Sequence, residues 1–234
     1  MLRLGSAYGG WCFADLPDLV GGTVLSCGLG EDASFDVEMA RTFGASIVIV
    51  DPTPRAIAHF SELIARIGLP AEAPYATGGR QPVTAYDLRG LRREQFRLIP
   101  KALAEVSGPV RFYAPKNSDD VSYSIVNFQN NYERNTPFIE VEGVDVNSLI
   151  SEEVPRPIAL AKFDVEGAEI IVLPELLNSG VRPHQILVEY DELNWPSAAS
   201  RNKFYGVHER LTTVGYLVAD FDGRSCVAYV LPFG

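Results

Sequence analysis

Residue types that often mark a specialised site are scarce in this chain. It has three cysteines, Cys12, Cys27 and Cys226, far apart and odd in number. They form no CxxC pair and no metal-ligand spacing, which argues against a thiolate metal centre and a disulfide framework. They are expected as buried thiols of a reducing compartment, the cytoplasm. The three histidines give no catalytic pattern either. His59 and His208 fall in predicted helices and His184 follows Pro183 in a loop, so surface or half-buried positions are expected for all three. No apolar run approaches the roughly 20 residues that span a bilayer. Residues 1–10 hold one arginine and no apolar h-region, so no signal peptide is expected. Internal repeats and low-complexity stretches are also missing.

Positive charge is in short supply. Against 30 acidic residues stand 20 Lys and Arg, for a net charge of −10. A polyanion such as nucleic acid is therefore a poor main partner, and no membrane partner is expected. The short basic cluster of Arg89, Arg92 and Arg93 reads as a solvated face. What remains is ordinary globular material, 47% hydrophobic and 21% charged over 234 residues. That suffices for one domain with a sizeable core, 1–234, in which 1–22 forms an N-terminal extension or lid. Nothing in the pattern speaks to oligomeric state.

The apolar pattern alternates between strand and helix. Residues 23–26 are a short apolar run ending in the glycine turn of Gly28 and Gly30, and 33–43 has a mostly helical pattern closed by Gly44. The β-branched run 46–51 fits a strand buried on both faces. Thr53-Pro54 is a good cap and first turn for a helix over 54–66. This β-α-β-α order predicts a doubly wound α/β sheet. Residues 70–95 are rich in Pro and Gly and read as a loop insertion. Runs 96–103 and 109–114 are expected as two strands, although Pro100 interrupts the first. Residues 116–140, with Asn117, Asn127, Asn130, Asn131 and Asn135, are expected as a long substrate-facing loop. A strand over 158–164, a helix over 167–178, a strand over 185–190 and a helix over 203–214 follow. The chain closes with an antiparallel hairpin turning at Asp222-Gly223. The expected fold is a mostly parallel, Rossmann-like sheet of the class I methyltransferase plan, with that hairpin at its C-terminal end.

Gly28-Leu29-Gly30-Glu31-Asp32-Ala33 fits G-x-G-x-x-G/A between a strand and a helix. Asp51 lies about 20 residues beyond, where a carboxylate suits a ribose diol. The alternative is a tight turn that binds nothing. Charge separates the candidate cofactors. A dinucleotide sets its pyrophosphate on the helix N-terminus, where Glu31 and Asp32 would repel it. S-adenosylmethionine (SAM) carries a sulfonium and an ammonium and suits that place better. Helix-dipole matching without any ligand is the plainer account of the two acids. Tyr8 and Trp11 offer aromatic faces to a sulfonium or adenine, or else simple core packing. Ala102, in the run 96–103, is counted as a further cofactor contact.

Several stretches resemble one family. Val24-Leu-Ser-Cys-Gly-Leu-Gly-Glu-Asp-Ala-Ser-Phe-Asp-Val-Glu38, then Phe43-Gly44 and Asp51-Pro-Thr-Pro-Arg55, look like FkbM-type methyltransferases. So does Lys162-Phe-Asp-Val-Glu-Gly-Ala-Glu169. Leu4-Gly5, Tyr8-Gly9-Gly10-Trp11 and Val144-Asp-Val-Asn-Ser-Leu149 resemble one branch of that family. The similarity covers most of 4–190, with gaps at 70–95 and 116–140. Ser26 stands where the broader methyltransferase pattern often has an acid. The resemblance implies SAM binding through Gly28, Gly30 and Asp51. It also implies methyl transfer, often to a hydroxyl oxygen, and a small-molecule or glycan acceptor.

The carboxylates at two predicted strand ends are the candidate chemistry. Asp164 ends one strand, with Glu166 and Glu169 in the turn after it, and Glu189 and Asp191 close the next. In a doubly wound sheet these ends open onto one crevice. Asp164 and Glu189 are the expected catalytic pair, one acting as general base toward the acceptor hydroxyl. Alternatively, the two bind Mg²⁺, which would orient and acidify that hydroxyl. Glu166 and Glu169 read equally well as first-turn helix charges, and the alternative for Asp164 is a turn cap. Two rival functions stay open, an NAD-dependent oxidoreductase and a non-catalytic SAM-binding module.

Overall fold

The computed structural model describes residues 1–117, 122–127, 129–130, 132–194 and 196–232. Strands β1 (Leu2–Leu4) and β2 (Trp11–Phe13) form an N-terminal antiparallel hairpin. The chain then alternates through β3 (Thr23–Cys27), α1 (Ser34–Phe43), β4 (Ser46–Val50), α2 (Pro54–Ala65) and β5 (Phe96–Ile99). A small excursion follows, with β6 (Ala102–Leu103), β7 (Gly108–Tyr113), β8 (Phe138–Val144) and α3 (Val146–Glu152). The chain returns through β9 (Ile158–Phe163), α4 (Glu169–Asn178), β10 (Gln185–Glu189), α5 (Asp191–Asn194) and α6 (Ala198–Thr213). It ends in β11 (Leu217–Phe221) and β12 (Cys226–Val230).

Strand order identifies the architecture. The main sheet runs β11-β12-β10-β9-β3-β4-β5. Its five strands from β10 to β5 are parallel, and β12 lies antiparallel between β10 and β11. Such a doubly wound sheet, with its last strand inserted beside the edge, has the Rossmann-like plan of class I methyltransferases. The central strands are buried on both faces because helices cover both; all six residues of β9 are buried. One side of the sheet packs Val172, Leu176 and Leu211 from α4 and α6. The other packs Phe35, Met39 and Phe43 from α1 and Leu63 from α2. Local signals set the helix ends. Gly44 closes α1 at φ 65°, the left-handed position that glycine fills at least cost. Thr53 caps α2 with Pro54 as the next residue.

Several elements depart from the sequence expectations. The run 96–103 is not one strand. Pro100, which has no N–H to continue a ladder, follows β5, and the chain crosses to a second sheet, ordered β6-β8-β7. The expected loop over 116–140 gives way at Phe138 to β8, which pairs with β7 from Phe138 to Gly143. Of that loop, 118–121, 128 and 131 (Asn131 among them) lie outside the described residues. The last long helix begins at Ala198, well before 203, because Ser197 and Ser200 cap each other's backbone N–H groups. The N-terminal hairpin and α3 had no place in the element pattern. Cys12 and Cys226 are half-buried rather than buried, and Cys27 alone is enclosed. His59 is buried, with Nε2 2.8 Å from the Tyr86 hydroxyl. No helix among the described residues is long and apolar enough to cross a membrane.

Candidate functional site

The chain leaves β3 toward β4 and β5 on one side and later returns to β9 and β10 on the other. Between β3 and β9 the winding reverses, and in open α/β sheets ligands bind at such a point, beyond the C-terminal strand ends. The glycine turn sits there. Gly28 (φ 89°) and Gly30 (φ 56°) both take left-handed conformations that side chains resist. A Cβ on Gly28 would lie 1.9 Å from the carbonyl oxygen of Asp164. Gly28 N donates to Val50 O (3.0 Å) and Asp164 N donates to Cys27 O (3.0 Å), tying three strand ends together.

Asp51 completes the lock. Its Oδ2 accepts from the backbone N–H of Leu29 and of Gly30, each at 2.9 Å. Its Oδ1 accepts from the N–H (2.8 Å) and hydroxyl (2.7 Å) of Thr53. The carboxylate's roughly four lone-pair positions are thus all used within the chain. A residue expected as a ribose ligand at the strand end is first of all the staple of the turn.

Above these strand ends opens a cleft of about 560 Å³. Gly28, Gly30, Glu31, Asp32, Asp51, Tyr8, Trp11, Ala102, Asp164 and Glu189 all line it. Trp11 is 7% exposed and Tyr8 69%; the Tyr8 ring rests on Gly79, where a Cβ would come within 2.6 Å of it. Ala102, Leu103 and Phe112 add apolar surface, and Ser122, Tyr123 and Ile125 bring part of the 116–140 segment to the wall. The acids Glu31 and Asp32 differ in their surroundings. Glu31 is paired with Arg55 and Arg80, so its charge is largely met. Among the described residues Asp32 has no such partner: it accepts from Ser6 Oγ (2.6 Å) and from the first residue of α1 at Ser34 N (2.9 Å). Any charge discrimination at the turn therefore falls mainly on Asp32.

The sequence reading missed Lys162. It sits in the otherwise apolar β9, is 4% exposed, and donates to the carbonyl oxygen of Gly28. Its Nζ lies 5.4 Å from the Trp11 ring centroid and 3.8 Å from Asp164 Oδ2. A lysine inside a buried strand was itself a signal, since buried charges require partners.

The carboxylates gathered beyond β9 and β10 repel one another. Burial pushes the Asp164 carboxyl up to about 6; Lys162 pulls it back, and Glu189 and Asp51 add to the rise. Burial likewise lifts Asp191 to about 7, with the Asn194 hydrogen bond opposing and Glu189 and Asp164 assisting. Glu166, at φ 56°, is raised by burial and by Asp164. Glu169 lies off the cleft, in the first turn of α4 as the helix-charge alternative had it, and accepts from Val165 N at 2.9 Å. The Mg²⁺ expectation finds no support: among the described residues, no three His, Cys, Asp or Glu side chains converge to hold an ion. Asp164 and Glu189 alone would leave most of a hard cation's coordination to water. None of the three histidines reaches the cleft.

No family model matches the chain, and no curated protein matches it. Among solved structures it is similar to the fibrillarin pre-rRNA processing protein of Methanococcus jannaschii. Identity is 9%, over 94% of this chain and 70% of that one, with a TM-score of 0.47. It is also similar to the methyltransferase domain of bacterial CtHen1-C, at 12% identity, over 92% of each chain, with a TM-score of 0.40. The S-adenosylmethionine-dependent methyltransferase SibL is a third, at 13% identity, over 94% of this chain and 53% of that one, with a TM-score of 0.39.

Proposed function

We propose that the chain is a SAM-dependent methyltransferase acting on a hydroxyl of a small-molecule or glycan acceptor. The observation that carries this reading is the cleft at the switch point, lined by carboxylates from Asp32 to Asp222. Of opposite sign, only Lys101, Lys162 and Arg224 line it among the described residues. Such a lining suits a ligand bearing a sulfonium and an ammonium and disfavours a pyrophosphate. A cleft of this size falls within the range of small-molecule sites, roughly 300–1,000 Å³. The FkbM resemblance points the same way.

In this reading Gly28 and Gly30, held by Asp51, let the cofactor approach the backbone closely, and Ala102 and Leu103 offer apolar surface to its adenine. Bound there, SAM supplies an activated methyl group that the acceptor oxygen takes as the sulfur–carbon bond breaks. Alignment of the two reactants is the main contribution of the walls. Asp164, with its carboxyl near 6, is ionised at neutral pH and receives the hydroxyl proton. Glu189 beside it sustains that basicity through like charge. Calorimetric titration tests the reading. Heat is expected with SAM and S-adenosylhomocysteine and none with NAD. Tighter binding of NAD than of either would overturn it in favour of an oxidoreductase.

A further inference from the structure

The wall of the cleft away from the glycine turn is built where β10 runs into α5. Asp191 starts α5 and is only 9% exposed. Its Oδ1 accepts a long hydrogen bond from the Asn194 amide, 3.4 Å. Among the described residues its Oδ2 is buried with no hydrogen-bond partner, although the residue lines the cleft. The hydrogen bonds formed nearby go to other acceptors. Asn194 Nδ2 also donates to Glu189 Oε1 (3.2 Å), which takes the Ser225 hydroxyl at 3.2 Å as well. The cation closest to Asn194, Arg224, donates through Nε to the Asn194 carbonyl oxygen at 3.1 Å.

A buried carboxylate oxygen without a donor is costly, and here Glu189, Asp164 and Glu192 raise the cost by like charge. A neutral hydroxyl would satisfy the oxygen and leave the repulsion in place. A protonated amine does both, since an ammonium has three donors and a positive charge. The cofactor's own charges do not remove the need, because Asp32 and Asp164 stand nearer the glycine turn that would hold it.

On the methyltransferase reading above, we propose that the methyl acceptor carries an ammonium group, seated between Asp191 and Glu189, while its hydroxyl faces Asp164. The acceptor class is then an amino-bearing polyol, such as an amino sugar, rather than a neutral glycan.

The test uses the full chain saturated with S-adenosylhomocysteine, which carries no sulfonium but still fills the cofactor end. Glucosamine, kept protonated, is titrated against glucose and N-acetylglucosamine, which match its ring and lack its charge. Glucosamine is expected to bind about tenfold more tightly than either neutral sugar, a difference of about 1.4 kcal/mol. Asp191→Asn should abolish that preference and leave S-adenosylhomocysteine affinity unchanged. Glu189→Gln should reduce the preference and serves as the second variant if the first folds poorly. Equal binding of the three sugars, or no binding of glucosamine to the saturated wild type, overturns the proposal. Failure of S-adenosylhomocysteine to bind would instead overturn the methyltransferase reading on which it rests.

Discussion

The ammonium of Lys162 donates to the carbonyl oxygen of Gly28, joining the second half of the sheet to the turn that follows its first strand. The same ammonium is the cation that holds Asp164 down, 3.8 Å from its Oδ2. Lys162→Met keeps the length and packing of the side chain and removes both effects. Two outcomes follow. S-adenosylhomocysteine affinity should fall by about tenfold as the turn loosens, the loss of one charge-assisted hydrogen bond. The acid limb of the pH–rate profile should also move upward, because Asp164 loses its opposing charge. A profile that stays in place would detach Lys162 from the chemistry.

Asp51→Ala should damage folding as well as cofactor binding. The side chain is 6% exposed, and its removal leaves the N–H groups of Leu29, Gly30 and Thr53 without their acceptor. Hydrogen bonds to a charged group contribute about 1.5–3 kcal/mol each, and they are not additive. A loss of about 3 kcal/mol, near 10 °C in Tm at roughly 2–4 °C per kcal/mol, is expected in thermal melts. A melt unchanged from wild type would mean that the turn holds itself.

The sequence carried the βα repeat clearly because both of its signals are local. The buried strand 46–50 is β-branched, and Thr53-Pro54 and Gly44 mark helix ends through their own side chains or backbone freedom. The excursion between β5 and β9 was harder to read. Phe138, Ile139, Glu140, Val141 and Glu142 do alternate as a strand should, but β8 pairs with β7 across a long loop, and the polar stretch before it hid the change of period. The N-terminal hairpin is only three residues a side, too short for periodicity to register. At the site, the spacing of Gly28, Gly30 and Asp51 could be read, but which groups Asp51 would satisfy could not. Nor could the pairing of Glu31 with Arg55 and Arg80, which weakens the charge argument first drawn from that acid.

Stability of the ligand-free protein should fall as pH rises from about 4 to 7. Asp164 and Asp191 are raised in the folded state to about 6 and about 7, above an ordinary carboxyl near 3.9. Across that window the folded chain binds more protons than the unfolded one, so unfolding free energy declines with pH. The stability is fully present below the unfolded pKa and lost as pH passes the folded values. Melting curves across the window check the sign, and Asp191→Asn should flatten the slope. A Tm that climbs steadily between pH 5 and 7 would show that these carboxyls are not raised.

Asp164→Asn bears on the chemistry itself. The residue stands at the end of β9 with its backbone N–H bound to Cys27 O and its carbonyl against Gly28. Both backbone contacts survive the substitution, and the amide keeps the shape of the side chain. The fold and the affinity for S-adenosylhomocysteine should therefore be nearly unchanged. The amide cannot accept the acceptor's proton. A positioned base contributes typically 10²–10⁴-fold, and turnover should drop within that range once an acceptor is supplied. The wild-type rate should rise with pH to a plateau, with its midpoint near 6 as Asp164 ionises, and the residual rate of the variant should lack that limb. Both measurements are needed, because a loss of rate alone would also follow from a displaced acceptor. If the variant retains the limb at 6, another of the wall's carboxylates is the base, and if it turns over at the wild-type rate, alignment alone carries the reaction.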